Sequence, residues 1–286
     1  MKYTLLYILS LCLLFTGCTR GLSEATEPAD SENWLPALTR ADVGTEATIA
    51  GFSSETATNA AFSKDVVCTD KEKNTWEWDN TTSPSLKGIT LLAASIPRIN
   101  MENATTTLYQ SKLSSYPNGL QLGFAPAESK AVNVKHCLAQ LDLDCEGTYF
   151  LNDNIDLYLA YSATVDFRTA TINTQNYKTS HNQSLNDRRR IVLTILPQTF
   201  KQGEILFQYQ YGDTKYTYRL ERDLVVSNNQ RLKVRISQGE EHTEPKPGGG
   251  GSGGGEPNPP ATVEISVTTS TIAEWVPGSG SVVPVE

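Results

Sequence analysis

The stretch "EILFQYQYGDTKYTYRL" (residues 204–220) decides the fold class. Ile205, Phe207, Tyr209 and Tyr211 fall on one face of an extended chain, and Gly212-Asp213 supply a turn. Tyr216, Tyr218 and Leu220 then take up a face on the return. A period of two on both sides of a Gly-Asp pair predicts a β-hairpin. Working outward, short runs rich in Val, Ile, Thr and aromatics recur between turn residues at 49–52, 76–78, 89–94, 120–124, 132–143, 155–161, 191–196 and 231–236. The one short helix expected is at 104–114. Many short strands with few helices predict an all-β protein built of β-sandwiches. The break "PAESK" (residues 126–130) divides them into 41–130 and 131–240.

The chain of 286 residues carries a net charge of −8 and is 38% hydrophobic. An acidic balance argues against a nucleic-acid groove, which needs a basic face to meet phosphates. Residues 1–17 read as a signal peptide: Lys2, an apolar run over 3–15, then Thr16-Gly17 before Cys18. Small residues ahead of a cysteine form a lipobox-like site. In that reading Cys18 is acylated, becomes the mature N-terminus and anchors the chain; the alternative is ordinary secretion with an incidental cysteine. Residues 18–40 form a leader. Its first part is small, polar and acidic, with little to bury, whereas Trp34, Leu35 and Leu38 add apolar surface. Arg40, in a flexible stretch, is accessible to a trypsin-like protease. Without Cys12 and Cys18, the thiols of Cys68, Cys137 and Cys145 remain, an odd number. Buried free thiols are expected, with one disulfide through Cys68 as the other option.

Residues 241–261 are a Pro- and Gly-rich linker. The stretch 245–260 spans about 20–24 Å on average as a Gly-rich coil, and about 50 Å fully extended. That exceeds what a hairpin turn needs. Beyond it, residues 262–286 hold a strand segment in which Val263, Ile265 and Val267 alternate with Glu264 and Ser266, followed by Ile272 and Trp275. A lone strand is not stable in water. It must pair with its own sheet or with a neighbour's, and both readings are open.

The sequence offers no catalytic constellation. His136, His181 and His242 have no metal-ligand spacing. No nucleophile turn or phosphate-binding Gly loop sits in a strand-to-helix setting. Asp142, Asp144, Asp156 and Asp166 have the spacing of solvent-facing strand positions. Trp76 and Trp78 share a face, which suits sheet packing first and a sugar platform second. "DRRRI" (residues 187–191) reads as a solvated strand entry, a second protease site or an acidic contact. No enzyme activity and no cofactor are expected.

Several stretches together resemble the fimbrillin (Mfa-like, type V pilin) family of Bacteroidetes. They are the lipobox at Cys18, "LTRAD" (38–42), "WEWDN…LLAASIPR" (76–98) and "VKHCLAQLDLDC" (134–145) with His136, Ala139 and Leu141. The hairpin after Pro197-Gln198 and the Ile272-x-x-Trp275 ending are also similar. The resemblance implies two transthyretin-like Greek-key sandwiches in tandem. It implies export as an outer-membrane lipoprotein through Cys18 and cleavage by an Arg-specific protease between Arg40 and Ala41. The emptied groove would then take a strand from another pilin subunit or a second copy, yielding a stalk, tip or accessory subunit of a cell-surface fimbrium. In that scheme residues 34–38 are the placeholder, Val263, Ile265 and Val267 the candidate donor, and Trp275 an anchor. The linker departs from the family pattern, in which the last strands would follow Ile236 after a short turn. The other reading is a lipid-anchored surface module that binds glycan or protein without polymerising.

Overall fold

The computed structural model describes residues 34–39, 45–116, 118–146, 154–185, 190–211, 214–237, 262–267 and 283–284. In chain order its strands are β1 (Ala37–Thr39), β2 (Glu46–Phe52), β3 (Phe62–Asp70), β4 (Thr75–Trp78), β5 (Leu91–Ile96), β6 (Thr105–Tyr109), β7 (Gln121–Pro126), β8 (Ala131–Asn133), β9 (Lys135–His136), β10 (Ala139–Glu146) and β11 (Asn154–Ala160). There follow β12 (Ser162–Asp166), β13 (Thr171–Thr174), β14 (Lys178–Ser184), β15 (Arg190–Ile195), β16 (Gln198–Phe200), β17 (Ile205–Tyr211), β18 (Thr214–Arg219), β19 (Leu224–Val226), β20 (Arg231–Ser237), β21 (Thr262–Val267) and β22 (Val283–Pro284). Helical structure among the described residues is confined to two 3-10 turns, Gln110–Ser115 and Ala127–Ser129. The fold is all-β, as the hairpin and the short strand runs predict.

A four-stranded sheet in the order β15-β10-β20-β21 faces a five-stranded sheet in the order β18-β17-β11-β14-β22. Period-two apolar positions meet between them: Leu141 and Leu143 of β10, Leu193 of β15 and Val234 of β20 pack with Leu157 of β11 and Phe207 of β17. This is the alternation of a β-sandwich, with the inner face dry and the outer face polar. Phe207 stacks on Tyr218 across the expected hairpin at 5.1 Å. A bulge between Ile205 and Phe207 shifts the register, so Leu206 also enters the core and the single-face reading of Ile205 fails.

The six-stranded sheet β4-β3-β2-β5-β7-β9 is buried on both faces at its centre. Every residue of β5, "LLAASI", is buried. Leu91 and Ala93 point into one core, Leu92, Ala94 and Ile96 into the other. A continuous apolar run is what such a central strand requires. The first of these cores is covered by the sheet β13-β12-β6. Here the chain departs from the simple division at 130/131: β12 and β13 come from the C-terminal half, yet β12 pairs along β6 of the N-terminal half. The buried amide of Gln110 joins the halves too, donating to the Thr194 carbonyl at 2.9 Å and accepting from the Leu196 N–H at 3.0 Å.

The expected helix at 104–114 is instead β6 followed by a 3-10 turn, because its Thr-rich start suits a strand and finds a partner in β12. The expected strand at 132–143 is three pieces, β8, β9 and β10, each with a different partner. Cys137 and Cys145 accordingly enter different cores, and Cys68, Cys137 and Cys145 are all free thiols. Asp142 is buried rather than solvent-facing, and Arg190 of "DRRRI" grips it through two bonds of 2.7 and 2.6 Å.

The leader-filled groove as candidate functional site

The second face of the six-stranded sheet is covered by the leader. Residues 34–39 alternate strictly: Trp34, Pro36 and Leu38 are buried, while Leu35, Ala37 and Thr39 are exposed, Leu35 by 57%. Strand β1 runs parallel to β8, with Ala37 opposite Ala131 and Thr39 opposite Asn133. Two backbone bonds of 3.1 Å frame the pair, from the Ala37 N–H to the Lys130 carbonyl and from the Val134 N–H to the Thr39 carbonyl. Neither β1 nor β8 has a further strand partner among the described residues.

The groove that receives this strand has two deep positions. The Trp34 indole sits edge-on to Trp78, with ring centroids 4.9 Å apart. Its Nε1–H donates to the Pro84 carbonyl at 2.8 Å, and Trp78 Nε1–H donates back to the Trp34 carbonyl at 2.9 Å. A buried indole N–H needs such an acceptor. Leu38 is fully buried among Ile49, Val66, Trp76, Leu92 and Val132. The Asn74 amide donates to the Leu38 carbonyl and accepts from Trp76 Nε1. Asn74 holds a left-handed backbone at φ 52, which places that amide at the hairpin tip over the leader.

Gly123 lets β8 lie close on the sheet. A Cβ built there would sit 2.3 Å from the Asn133 carbonyl oxygen, so no side chain fits. Trp76 and Trp78 are therefore wall and floor of the groove, which removes them as a sugar platform. The contributions of Asn74, Pro84 and Gly123 lay beyond sequence reasoning. A turn Asn and a strand Gly are visible as such, but not what lies across from them.

Of the other expected site residues, Val263, Ile265 and Val267 lie on β21, which pairs antiparallel with β20 of its own chain, Ile265 opposite Val234. Cys18, Arg40, Ala41, Ile272 and Trp275 lie outside the described residues. No group of three or more His, Cys, Asp or Glu side chains among the described residues could hold a metal. No helix among them is long and apolar enough to cross a membrane. Burial pushes the Cys145 thiol up to about 12 and the Cys137 thiol higher still, so neither is a poised nucleophile.

No protein-family model matches the chain, and no curated protein matches it. Solved structures do. A putative cell adhesion protein from Bacteroides uniformis aligns over 87% of this chain and 100% of its own, with a TM-score of 0.55 and 12% identity. One from Bacteroides ovatus aligns over 82% and 88%, with a TM-score of 0.49 and 10% identity. The tip fimbrial protein Mfa3 from Porphyromonas gingivalis, C-terminally truncated, aligns over 79% and 93%, with a TM-score of 0.42 and 10% identity. At these identities the likeness is one of fold, and the first of the three carries it. It agrees with the all-β fold that the resemblance implies.

Proposed function

We propose that this chain is a structural subunit of a fimbrium that supports cell adhesion. It is exported as a lipoprotein through Cys18, cut between Arg40 and Ala41, and assembled by strand addition. The observation that carries the reading is the burial of Trp34 and Leu38. A leader that follows a signal peptide has no need of a fitted, hydrogen-bonded place in a core unless that place is to be vacated or inspected. The Arg40–Ala41 bond lies between the last residue of β1 and the first of β2. A cut there leaves the leader held by non-covalent contacts alone. Its departure would expose an apolar groove beside an unpaired strand edge on β8, which is the geometry that strand addition uses. Stalk, tip and accessory roles all fit this scheme.

Mass spectrometry of the mature N-terminus in sheared surface filaments tests it. An Ala41 start supports the assembling subunit; an acylated Cys18 start in all material contradicts it.

One observation favours a second reading, a surface module that binds glycan or protein. Tyr109, Tyr161 and Tyr177 are 41%, 43% and 66% exposed and touch in series, with centroids 5.5 and 6.1 Å apart. Loss of ligand binding in Tyr161→Ala, with folding and filaments intact, would place recognition there.

A further inference from the structure

The small sheet β13-β12-β6 covers one face of the six-stranded sheet, and its own outer face ends in a row of tyrosines. Leu108, Ala163, Val165 and Ile172 turn inward, so the alternate positions Thr107, Thr164 and Asn173 line up across the three strands on the outside. Tyr109 continues that outer face at the end of β6, and the residues just ahead of β12 and β14 add Tyr161 and Tyr177. Backbone bonds of 2.9 Å run from the Gln110 N–H to the Tyr161 carbonyl and from the Tyr161 N–H to the Tyr177 carbonyl. They hold the three residues side by side. Three of the six exposed large hydrophobic side chains among the described residues thus stand in one row. Resting on the reading of this row as a recognition surface, we propose that it binds an uncharged, soluble oligosaccharide.

The charges on these strands select the ligand class. β6 and β13 carry no charged residue, and β12 carries only Asp166, which Arg168 holds through bonds of 3.0 and 2.7 Å. Lys178, next to Tyr177, is held by Glu204 at 2.6 Å. In a chain of net charge −8, the strands that bear the row therefore offer neither a free carboxylate to a basic peptide nor a free cation to an anionic one. The side chains present suit a sugar. A tyrosine ring gives an apolar face for the C–H side of a pyranose and a hydroxyl at its tip, at low cost in conformational entropy. The exposed Thr107, Asn173, Gln175 and Asn176 supply hydroxyls and amides that both donate and accept, as sugar hydroxyls do. The ring spacings of 5.5 and 6.1 Å are comparable with the length of one pyranose residue. Each neighbouring pair is canted by 70°, so the row is not a flat platform. It suits a soluble chain whose successive sugars turn, rather than a crystalline surface. The leader lies against the other face of the six-stranded sheet, so the row stays open whether the groove is filled or emptied. Repeated copies along a filament would then add weak single sites into a strong attachment.

The test is binding by the full-length chain to immobilised desialylated mucin and, in affinity gels, to soluble galactomannan and xyloglucan. At least one of the three should bind. Tyr161→Ala should weaken that binding by about tenfold or more, and Tyr161→Phe, which keeps the ring, by less than about threefold. Tyr161 is exposed, so neither change should move the thermal midpoint. Heparin, the control for Lys112 exposed on the 3-10 turn after Tyr109, should bind more weakly, as should crystalline cellulose. Binding to none of the three neutral probes, or tighter binding to heparin or cellulose, overturns the inference. Mucin binding that depends on Tyr161, survives periodate oxidation of the sugars and is lost on protease treatment marks a protein ligand. That result overturns the inference and leaves the row standing as a recognition surface. Equal binding by Tyr161→Ala on every probe takes the recognition reading down with it.

Discussion

The core between the β10 and β11 sheets and the core beneath the leader differ in what closes them. The first draws every residue from 139–236, in sheets whose central strands pair on both sides. The second is completed by Trp34 and Leu38, which enter from the far side of the Arg40–Ala41 bond. Both are packed, and each pairs a polar group at its edge: Arg190 on Asp142 in one region, Pro84 and Trp78 on Trp34 in the other. Under the proposed cleavage, the same physical chemistry yields a permanent core and a removable one. The distinction lies in chain connectivity, not in packing quality.

Substitutions can break this comparison. In the uncut chain Phe207→Ala and Trp34→Ala should each cost about 3–5 kcal/mol in denaturant unfolding, as aromatic truncations in a packed core do. Once the chain is cut and the leader released, Phe207→Ala should keep its cost and a Trp34 substitution should have none. Gly123→Val comes next, at about 1–3 kcal/mol. It should push β8 away from β7, weaken leader retention and leave the β10–β11 core unchanged, as seen by amide exchange. Arg190→Ala should cost about 1–3 kcal/mol by stripping a buried carboxylate of its partner, whether or not the leader is present.

The smallest expected effect is a pH dependence confined to the C-terminal sandwich. His181 on β14 is buried, with Nε2 3.0 Å from the Thr179 hydroxyl and, among the described residues, no partner at Nδ1. Burial holds its pKa below the ordinary histidine value. The unfolded chain then binds the proton first. The stability it contributes is present above about pH 6.5 and is lost as pH falls through the lower folded value. Unfolding midpoints from pH 7.5 to 5 should fall in the native chain and fall less in His181→Gln.

Much of this architecture was legible. The hairpin at 204–220 and the apolar runs at 89–94, 155–161, 191–196 and 231–236 announce themselves, because each strand buries one apolar face or two. The strands that escaped notice are those held by their neighbours. β14 is "KTSHNQS", without an apolar face, and is a strand because β11 pairs with it along its whole length. β12 and β13 are short; β12 finds its place only beside β6, more than fifty residues earlier in the chain, and β13 on the other edge of β12. The groove was half legible: Trp34 and Leu38 stood out as apolar residues in a polar leader. Their acceptors did not, since a backbone carbonyl at Pro84 and a missing Cβ at Gly123 leave no pattern to read.

The most direct test is amide hydrogen exchange before and after a cut at Arg40. The Val134 N–H donates to the Thr39 carbonyl, so its protection belongs to the leader. The account predicts that release of the leader abolishes protection at Val134 while Leu141, Leu143 and Cys145 in β10 keep theirs. Unchanged protection at Val134 after release, or loss throughout both cores, would contradict it.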